Sequence, residues 1–299
     1  MPVPAQNQQY ENFIIRYKQN THGGFDYESD ETFQIVNDLF GILYVPMQEV
    51  PELELSSYSY SSIPRCYTYM DTGALSTSGV TRLHNHPYLK LQGKGTLVAV
   101  IDSGIDYLHP AFHNGVQSKI FSIWDQTLEG GADGRIPFGR EFGRQQIEQA
   151  LASENPWEIV PSSDTNGHGT RSAATAAGYR IEKDNFCGAA PEAEIVIVKL
   201  KQAKNYLRDF YLLPRDIDIF QEDDIMLAIS YVLFIAQEQQ MPLSICIGLG
   251  TSMGAHQGEG PLNEYINSIA AFTQNAVSVP AGNEGTARHH YLREFGPND

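Results

Sequence analysis

Four nearly continuous apolar runs lie in the last two thirds of the chain, and they constrain its fold more than any other feature of the sequence. Strands that are covered on both faces of a parallel sheet have this composition, because neither face meets water. The runs are residues 96–102, 193–200, 243–249 and 276–282. Between them, segments 223–240 and 261–275 have the apolar spacing of helices. The sequence therefore predicts an α/β fold with an open parallel sheet and helices on both faces.

The N-terminal quarter of the chain has a different pattern and predicts a separate, small α+β domain. Two segments resemble short strands and two resemble short helices. The candidate strands are 12–18 and 40–46, and the candidate helices are 28–39 and 47–54. Residues 71–95 are rich in Gly, Ser, Thr and Asn with little periodicity, as a linker and domain entry would be. We predict one domain with its linker over residues 1–72 and a second domain over residues 73–299.

The charge and hydropathy of the chain exclude several classes of function. The 299 residues carry 36 acidic against 20 basic side chains, a formal net charge of −16, so the summed field repels nucleic acid and anionic membranes. The longest apolar run, residues 225–236, is too short to cross a bilayer. The N-terminus lacks the basic start and apolar stretch of a secretory signal. We expect an intracellular protein, in the cytoplasm or in a spore, with no nucleic-acid or membrane partner.

A carboxylate ends the first of the apolar runs. Asp102 is followed by Ser103 and Gly104, which turn the chain away from the strand. Ligand and catalytic groups of open α/β sheets gather at the carboxyl ends of their strands. A carboxylate held rigidly there suits the task of orienting a histidine and offsetting its positive charge, although many α/β proteins use such an Asp for metal or ribose binding.

A histidine lies between two glycines at the start of a stretch of small residues. Gly167 and Gly169 allow the backbone to approach its neighbours and to adopt angles that other residues avoid, so we expect His168 to be exposed at the mouth of a helix. The Ser, Ala and Gly residues over 172–178 give this helix a thin surface that can lie deep in the core. Such a context favours a general base that works near neutral pH over a structural histidine.

An asparagine follows the last apolar run. Asn283 lies between Gly282 and Gly285, where its side-chain amide could donate a hydrogen bond to a developing oxyanion. An asparagine between glycines is also typical of an ordinary turn, and this motif alone does not decide between the two.

The three motifs in this order closely resemble the subtilisin-like serine proteases. They are Asp-Ser-Gly at 102–104, Asn-Gly-His-Gly-Thr at 166–170 and Ala-Gly-Asn-Glu-Gly at 281–285. Within that family the chain is most similar to the Csp-type germination proteases of spore-forming clostridia, through the segments 63–71, 75–112 and 120–131. The likeness extends from about residue 10 to the end of the chain.

The resemblance implies a peptide-bond hydrolase with a Ser-His-Asp triad. Asp102 would orient His168, His168 would deprotonate the serine, and Asn283 would help to hold the oxyanion. The fold implied is a subtilisin-like parallel sheet preceded by a ferredoxin-like propeptide, which is removed by autocleavage between Tyr58 and Leu83. The substrate is a protein or peptide, which would pair as an added strand with a segment consisting of Ile247, Gly248, Leu249 and Gly250.

The nucleophile is the one element of the family that this sequence does not supply. Subtilases carry their serine after the oxyanion asparagine, whereas here sixteen residues follow Asn283. Ser252, in the segment Gly-Thr-Ser-Met-Gly, is rejected because the residues before it align with the substrate-binding strand of the family. We expect the chain to be the N-terminal part of a longer protease, to need the missing C-terminal part of the catalytic domain as a partner, and to hydrolyse nothing alone. The alternative is a Csp-like pseudoprotease that serves as a binding or signalling scaffold.

No cluster of residues predicts a metal or a cofactor. The three cysteines are widely spaced without a C-x-x-C pair, so free thiols are expected. Two histidine pairs have spacings that a metal could use, but neither pair has a third ligand nearby. The pairs are His84 with His86 and His109 with His113. The segment 248–254 resembles a phosphate-binding loop but is not G-x-G-x-x-G. Subtilases often bind structural calcium, but no loop here matches such a site.

Overall fold

A computed structural model provides the three-dimensional structure of the chain. It describes most of the chain from Val3 to Gly282. The described residues are 3–17, 32–50, 53, 57–69, 80–84, 86, 88, 91–130, 135–254, 257–272 and 274–282. Within them, no helix is both long enough and apolar enough to span a membrane.

The strands and helices alternate through most of the chain. The strands are β1 (Tyr10–Arg16), β2 (Phe33–Ile35), β3 (Phe40–Pro46), β4 (Cys66–Tyr69), β5 (Leu97–Asp102), β6 (Ile120–Asp125), β7 (Arg140–Gly143), β8 (Glu194–Lys199), β9 (Phe220–Gln221), β10 (Leu243–Ile247), β11 (Leu249–Gly250) and β12 (Asn275–Ser278). The helices are α1 (Val80–His84), α2 (Arg144–Leu151), α3 (Pro156–Ile159), α4 (His168–Ala177), α5 (Asn205–Phe210), α6 (Glu222–Gln239) and α7 (Pro261–Ala270).

A six-stranded sheet forms the centre of the protein and confirms the predicted α/β fold. Its strand order is β12-β10-β5-β8-β6-β7, and every neighbouring pair is parallel except β6 with β7. All four apolar runs supply strands of this sheet, each within a few residues of the predicted bounds. The antiparallel edge strand β7 was not predicted. Because β5 is central, the carboxylate at its end is surrounded by other strands.

Helices cover both faces of the sheet, and the side chains of β5 alternate between the two cores that they form. Leu97, Ala99 and Ile101 belong to one buried core cluster, which includes the apolar face of α6 and part of α7. Val98 and Val100 belong to a second cluster, which includes Ala173 and Ala177 of α4 and residues of α2. Successive side chains of a strand point to opposite faces, so β5 is apolar throughout. This explains the continuous runs from which the sheet was predicted.

The N-terminal residues form a separate three-stranded antiparallel sheet with the order β1-β3-β2. The helix predicted over 28–39 is wrong, because residues 33–35 are strand β2 and Phe33 pairs with Leu43 of β3. The Phe33 ring lies over Gly41, where a Cβ would come within 2.3 Å of it. A 3₁₀ turn, Met47–Glu49, forms within the second predicted helix. The ferredoxin-like domain therefore stays a prediction.

This N-terminal sheet, formed by β1, β2 and β3, is attached to the main body through a buried lysine. Lys204 is 1% exposed, and its Nζ donates to Pro4 O at 2.8 Å, Tyr10 O at 3.1 Å and Asn12 Oδ1 at 2.7 Å. The amide of Asn12 in turn donates to Asp223 Oδ2 at 2.5 Å, at the start of α6. Apolar side chains of β1 and β3 also belong to the core cluster of α6. The N-terminal sheet therefore shares both a polar network and a core with the second domain.

A second link between the two parts is strand β4. It lies between β9 and β11 in a three-stranded antiparallel sheet, with Tyr67 opposite Phe220 and Thr68 opposite Gly250. Strand β4 precedes the predicted domain boundary after residue 72, which itself lies outside the described residues. A segment assigned by sequence to the first domain thus pairs with two strands of the other.

Candidate active site

Asp102 ends the central strand β5 and is completely buried. Its Oδ1 accepts a hydrogen bond from the backbone N–H of Ser103 at 2.7 Å. The neighbouring strand β10 ends at Ile247, which pairs with Ile101, so the chain that leaves β10 passes directly beside the carboxylate. The structure therefore fixes Asp102 at the carboxyl edge of the sheet, where sequence analysis expects catalytic groups.

His168 is the first residue of α4, and its imidazole contacts Asp102. The Nδ1 atom lies 2.8 Å from Asp102 Oδ1 and 2.9 Å from Oδ2. A carboxylate only accepts hydrogen bonds, so this contact assigns the proton to Nδ1 and leaves Nε2 as the basic nitrogen. The sequence-based expectation that His168 is exposed is wrong, because the residue is only 8% exposed. The neighbouring chain at Gly248 lies against the ring and helps to bury it.

Glycine is required on each side of His168, for a different structural reason at each position. Gly167 has a φ of 79°, in the left-handed region that side chains disfavour. A Cβ on Gly169 would lie 2.2 Å from the carbonyl oxygen of Gly104, so only glycine lets α4 approach the loop after β5 this closely. The small residues of α4 pack against the sheet, and Ala173 and Ala177 belong to the second core cluster. This local structure brings the imidazole to the end of β5.

The segment predicted to bind substrate runs past the Asp102–His168 pair. A Cβ on Gly248 would lie 2.4 Å from Asp102 Oδ2 and 3.2 Å from His168 Cε1. Leu249 and Gly250 form β11, which pairs antiparallel with β4. Of the predicted segment, Ile247 lies in β10 and belongs to the core. Gly248 thus lies against the Asp102–His168 pair. The next two residues lie on a strand edge that already pairs with β4.

An open cavity of about 1240 Å³ lies beside the pair, between α4 and the strands β10 and β12. Its wall consists largely of small side chains, among them Ser172, Ala176, Cys246, Ala276 and Ser278, together with Gly248. Within the part of the chain that the structure describes, the buried hydroxyl of Ser172 has no hydrogen-bond partner. The cavity is therefore wide and mostly apolar, and it extends to Gly248, which lies against the imidazole.

Cys246 is the nearest thiol to this cavity, but it is a poor nucleophile. Burial first, and then the negative charge of Asp102, raise the pKa of Cys246 to about 11. At neutral pH the group is a neutral thiol, whereas a nucleophilic cysteine needs the thiolate. Among the described residues of this site, the carboxylate and the imidazole are therefore the candidate reacting groups.

Of the other predicted groups, Asn283 lies outside the described residues, which end at Gly282. The imidazoles of His84 and His113 each lie within hydrogen-bond distance of a backbone carbonyl, at 2.7 and 2.9 Å. Over the described ranges, no three His, Cys, Asp or Glu side chains are grouped closely enough to hold a metal.

One acidic residue of the site, Asp164, was not predicted from the sequence. It precedes His168 by four residues and accepts hydrogen bonds from the loop and from the first turn of α4. The signal that could have identified it is an Asp shortly before a helix whose N-cap residue, Gly167, has no side chain.

Part of the chain is similar to proteins of known family. Residues 93–211, which include Asp102 and His168, match the family model described as the subtilase family of S8 peptidases. The chain is a relative of the subtilases. The structure of the CspB protease from Clostridium perfringens is similar, with a TM-score of 0.58 and 30% sequence identity over 70% of this chain and 40% of that protein.

Two curated proteins illustrate the range of subtilase relatives. The intracellular serine protease of Paenibacillus polymyxa is 29% identical over 196 residues, which is 65% of this chain and 43% of that protein. Subtilisin-like protease SBT1.4 of Arabidopsis thaliana is 30% identical over 125 residues, which is 36% of this chain and 16% of that protein. The chain thus spans less than half the length of each.

Proposed function

We propose that the full-length protein is a serine endopeptidase in which Asp102 and His168 are two members of a Ser-His-Asp triad. The observation that carries this proposal is the contact of His168 Nδ1 with both oxygens of a fully buried carboxylate, at 2.8 and 2.9 Å. The third member is a serine supplied by sequence that follows residue 299. The family match and the similarity to the CspB protease support the same reaction class.

The proposed reaction uses the imidazole twice. His168 Nε2 takes the proton of the serine hydroxyl while the serine oxygen bonds to the carbonyl carbon of the scissile peptide. The imidazolium then gives that proton to the departing nitrogen as the C–N bond breaks, which leaves an acyl ester on the serine. Water attacks the ester with His168 again as base, and the proton returns to the serine. Asp102 stays ionised and stabilises the imidazolium throughout.

Two further groups complete the proposed site. Asn283 donates a side-chain N–H to the oxyanion of the tetrahedral intermediate, a contribution worth about 3 to 4 kcal/mol in enzymes that use one. The strand edge at Ile247 to Gly250 aligns the substrate backbone by antiparallel pairing. The position of Gly248 against the Asp102–His168 pair supports this role, because a substrate strand on that edge would run beside the imidazole.

Strand β4 supports the proposal that the N-terminal domain is an inhibitory propeptide. Tyr69 and Thr68 pair with Leu249 and Gly250, the edge that the proposal assigns to substrate. Tyr67, one residue earlier, is only 8% exposed and lies opposite Phe220. Strand β4 thus occupies the edge that we assign to a substrate strand, and it lies within residues 58–83, in which we propose autocleavage.

The cavity beside α4 supports the proposal of a serine-bearing partner segment. A serine that receives base catalysis from His168 must reach hydrogen-bond distance of Nε2, so its backbone must lie next to the helix that carries the imidazole. The small side chains of Ser172, Ala176 and Ala276 leave room there for a further packed element. We propose that the C-terminal part of the catalytic domain fills this cavity and presents its serine at the His168 end.

The substrates and the site of action are proposed from the relatives. Subtilases are peptidases, which supports protein or peptide substrates for this protein. The relative from Paenibacillus polymyxa is named an intracellular protease, which supports our proposal that this protein also acts inside the cell.

Autocleavage provides a direct test of this function. We expect the full-length protein to be cut within residues 58–83 after expression, because β4, in this range, pairs with the proposed substrate edge next to Gly248, which lies against His168. The new N-terminus is located by Edman sequencing or by mass spectrometry of the purified product. Replacing His168 by alanine is expected to leave the chain uncut.

The matched control is His109→Ala, which removes an exposed imidazole elsewhere on the surface and should not affect cutting. An N-terminus that stays at Met1 in an active enzyme would contradict the propeptide role. Cutting at the same position and rate in the His168→Ala protein would show that another protease makes the cut.

A further inference from the structure

Asp164 forms a hydrogen-bonded hub beside the Asp102–His168 pair. Its Oδ1 accepts from Ser103 Oγ at 2.8 Å and from Gly167 N at 2.9 Å. Its Oδ2 accepts from the backbone N–H of Thr170 at 2.8 Å and from the Thr170 hydroxyl at 2.6 Å. All four partners are donors, so the site requires a carboxylate with its full acceptor capacity.

The carboxylate also fixes the direction of both hydroxyl groups. Ser103 Oγ donates to Asp164 and therefore accepts from the backbone N–H of Gly169 at 2.9 Å. Thr170 Oγ1 donates to Asp164 and accepts from the N–H of Asp106 at 2.9 Å. Each hydroxyl thus links the loop after β5 to the first turn of α4.

These bonds replace the cap that α4 lacks. The first N–H groups of a helix have no partner within the helix, and they are commonly satisfied by the side chain of the N-cap residue. Here the N-cap is Gly167, so Asp164 and Ser103 serve the N–H groups of Thr170 and Gly169 instead. Burial alone would raise the pKa of Asp164, but the hydrogen bonds from Thr170, Ser103 and Gly167 outweigh it and hold the pKa below its usual value.

The hub connects the two members of the pair through the backbone. Ser103 directly follows Asp102 and donates its N–H to Asp102 Oδ1 at 2.7 Å. Gly169 directly follows His168. The contact of Ser103 Oγ with Gly169 N therefore sets the separation between the residue that carries the carboxylate and the residue that carries the imidazole.

We propose that Asp164 is a positioning residue for the Asp102–His168 pair, and that its charge holds α4 in the register that lets Nδ1 reach the carboxylate. This inference rests on the proposed function for its catalytic consequence. In either orientation, an amide at position 164 would turn its NH₂ group toward one backbone N–H and one hydroxyl. The variant Asp164→Asn therefore loses the bond from that backbone N–H and reverses the bond from that hydroxyl, with little change of shape.

The experiment follows the Nδ1 proton of His168 by NMR in the 299-residue chain. In the wild-type chain we expect a hydrogen-bonded proton that is protected from solvent exchange. In Asp164→Asn we expect the proton to exchange at least about tenfold faster, the factor that corresponds to about 1.4 kcal/mol. The control is Asp184→Asn, which removes an exposed carboxylate from a 3₁₀ turn and should leave the exchange rate unchanged. In the full-length enzyme, kcat should fall about tenfold with KM unchanged.

The outcomes separate this inference from the function on which it rests. If Asp164→Asn lowers stability but leaves the Nδ1 proton equally protected, Asp164 is only structural and the proposal is overturned. If the wild-type chain shows no protected Nδ1 proton, the pair itself is absent and the proposed function fails with it. Should Asp164→Asn not fold, Ser103→Ala removes the hydroxyl that links Asp164 to the N–H of Gly169, and an unchanged exchange rate in that variant would equally overturn the proposal.

Discussion

Replacing His168 by alanine in the full-length protein is expected to lower kcat by about a millionfold, the loss seen when the base of a serine triad is removed. Without the imidazole, the serine hydroxyl keeps its proton and the leaving amine receives none. The contact of Nδ1 with the buried Asp102 predicts a second, smaller effect. Asp102→Asn should lower kcat by about 10⁴-fold, because an amide holds the imidazole in the wrong tautomer. A fluorogenic peptide assay measures both.

The kinetic pattern distinguishes this account from a loss of folding. Residues that act only on the reacting atoms change kcat and leave KM nearly unaltered. The His109→Ala variant, at an exposed position, should keep kcat within about twofold of the wild-type value. A His168→Ala enzyme that retains more than about a hundredth of the wild-type kcat would contradict the role of His168 as general base.

Replacing Lys204 by methionine is expected to destabilise the chain by about 3 to 5 kcal/mol, the cost of breaking a buried ionic network by removing one partner. The ammonium donates to three acceptors of the N-terminal segment, and methionine supplies none of these bonds. Burial, followed by repulsion from Lys201, lowers the pKa of Lys204 to about 7, while the carboxylates of Asp223, Asp224 and Glu11 act in the opposite direction. The substitution would leave the buried carboxylate of Asp224 with Lys201 as its cationic partner, and would remove the positive charge that faces Asp223 and Glu11.

Urea unfolding of the 299-residue chain measures this effect. Because Lys204 joins the N-terminal segment to the main body, the variant should also expose the N-terminal sheet to limited proteolysis before the main body is cut. Lys94→Met removes an exposed lysine and should change the free energy of unfolding by less than about 0.5 kcal/mol. A Lys204→Met chain as stable as wild type would mean that the N-terminal sheet is held by its apolar core alone.

The sequence predicted the central sheet well because its strands are covered on both faces. The run at 96–102 begins one residue before β5, and the run at 193–200 extends one residue beyond β8 at each end. The edge strand β7 was not found, since its four residues carry no continuous apolar run. The helix predicted over 28–39 failed for a related reason. A three-residue strand is too short to show alternation, and its pairing with β3 depends on contacts that only the folded chain makes.

The candidate site was partly predictable for a different reason. Asp102 and His168 each stand beside a glycine-containing turn next to a regular element, and such motifs are visible in the sequence. The burial of His168 involves Gly248, which follows it by 80 residues along the chain. The role inferred for Asp164 also follows from four donors that converge only in the folded loop. The proposed reacting groups were therefore predictable from the sequence, whereas the groups that position them were not.

The most direct measurement of the central claim is covalent labelling of the full-length protein with a fluorophosphonate, which bonds to an activated serine. We predict one labelled serine, located by mass spectrometry after residue 299, and loss of labelling in both His168→Ala and Asp102→Asn. The His109→Ala protein should be labelled like the wild type. An unlabelled wild-type protein would indicate the scaffold alternative, and labelling that persists without His168 would show that the Asp102–His168 pair does not activate the serine.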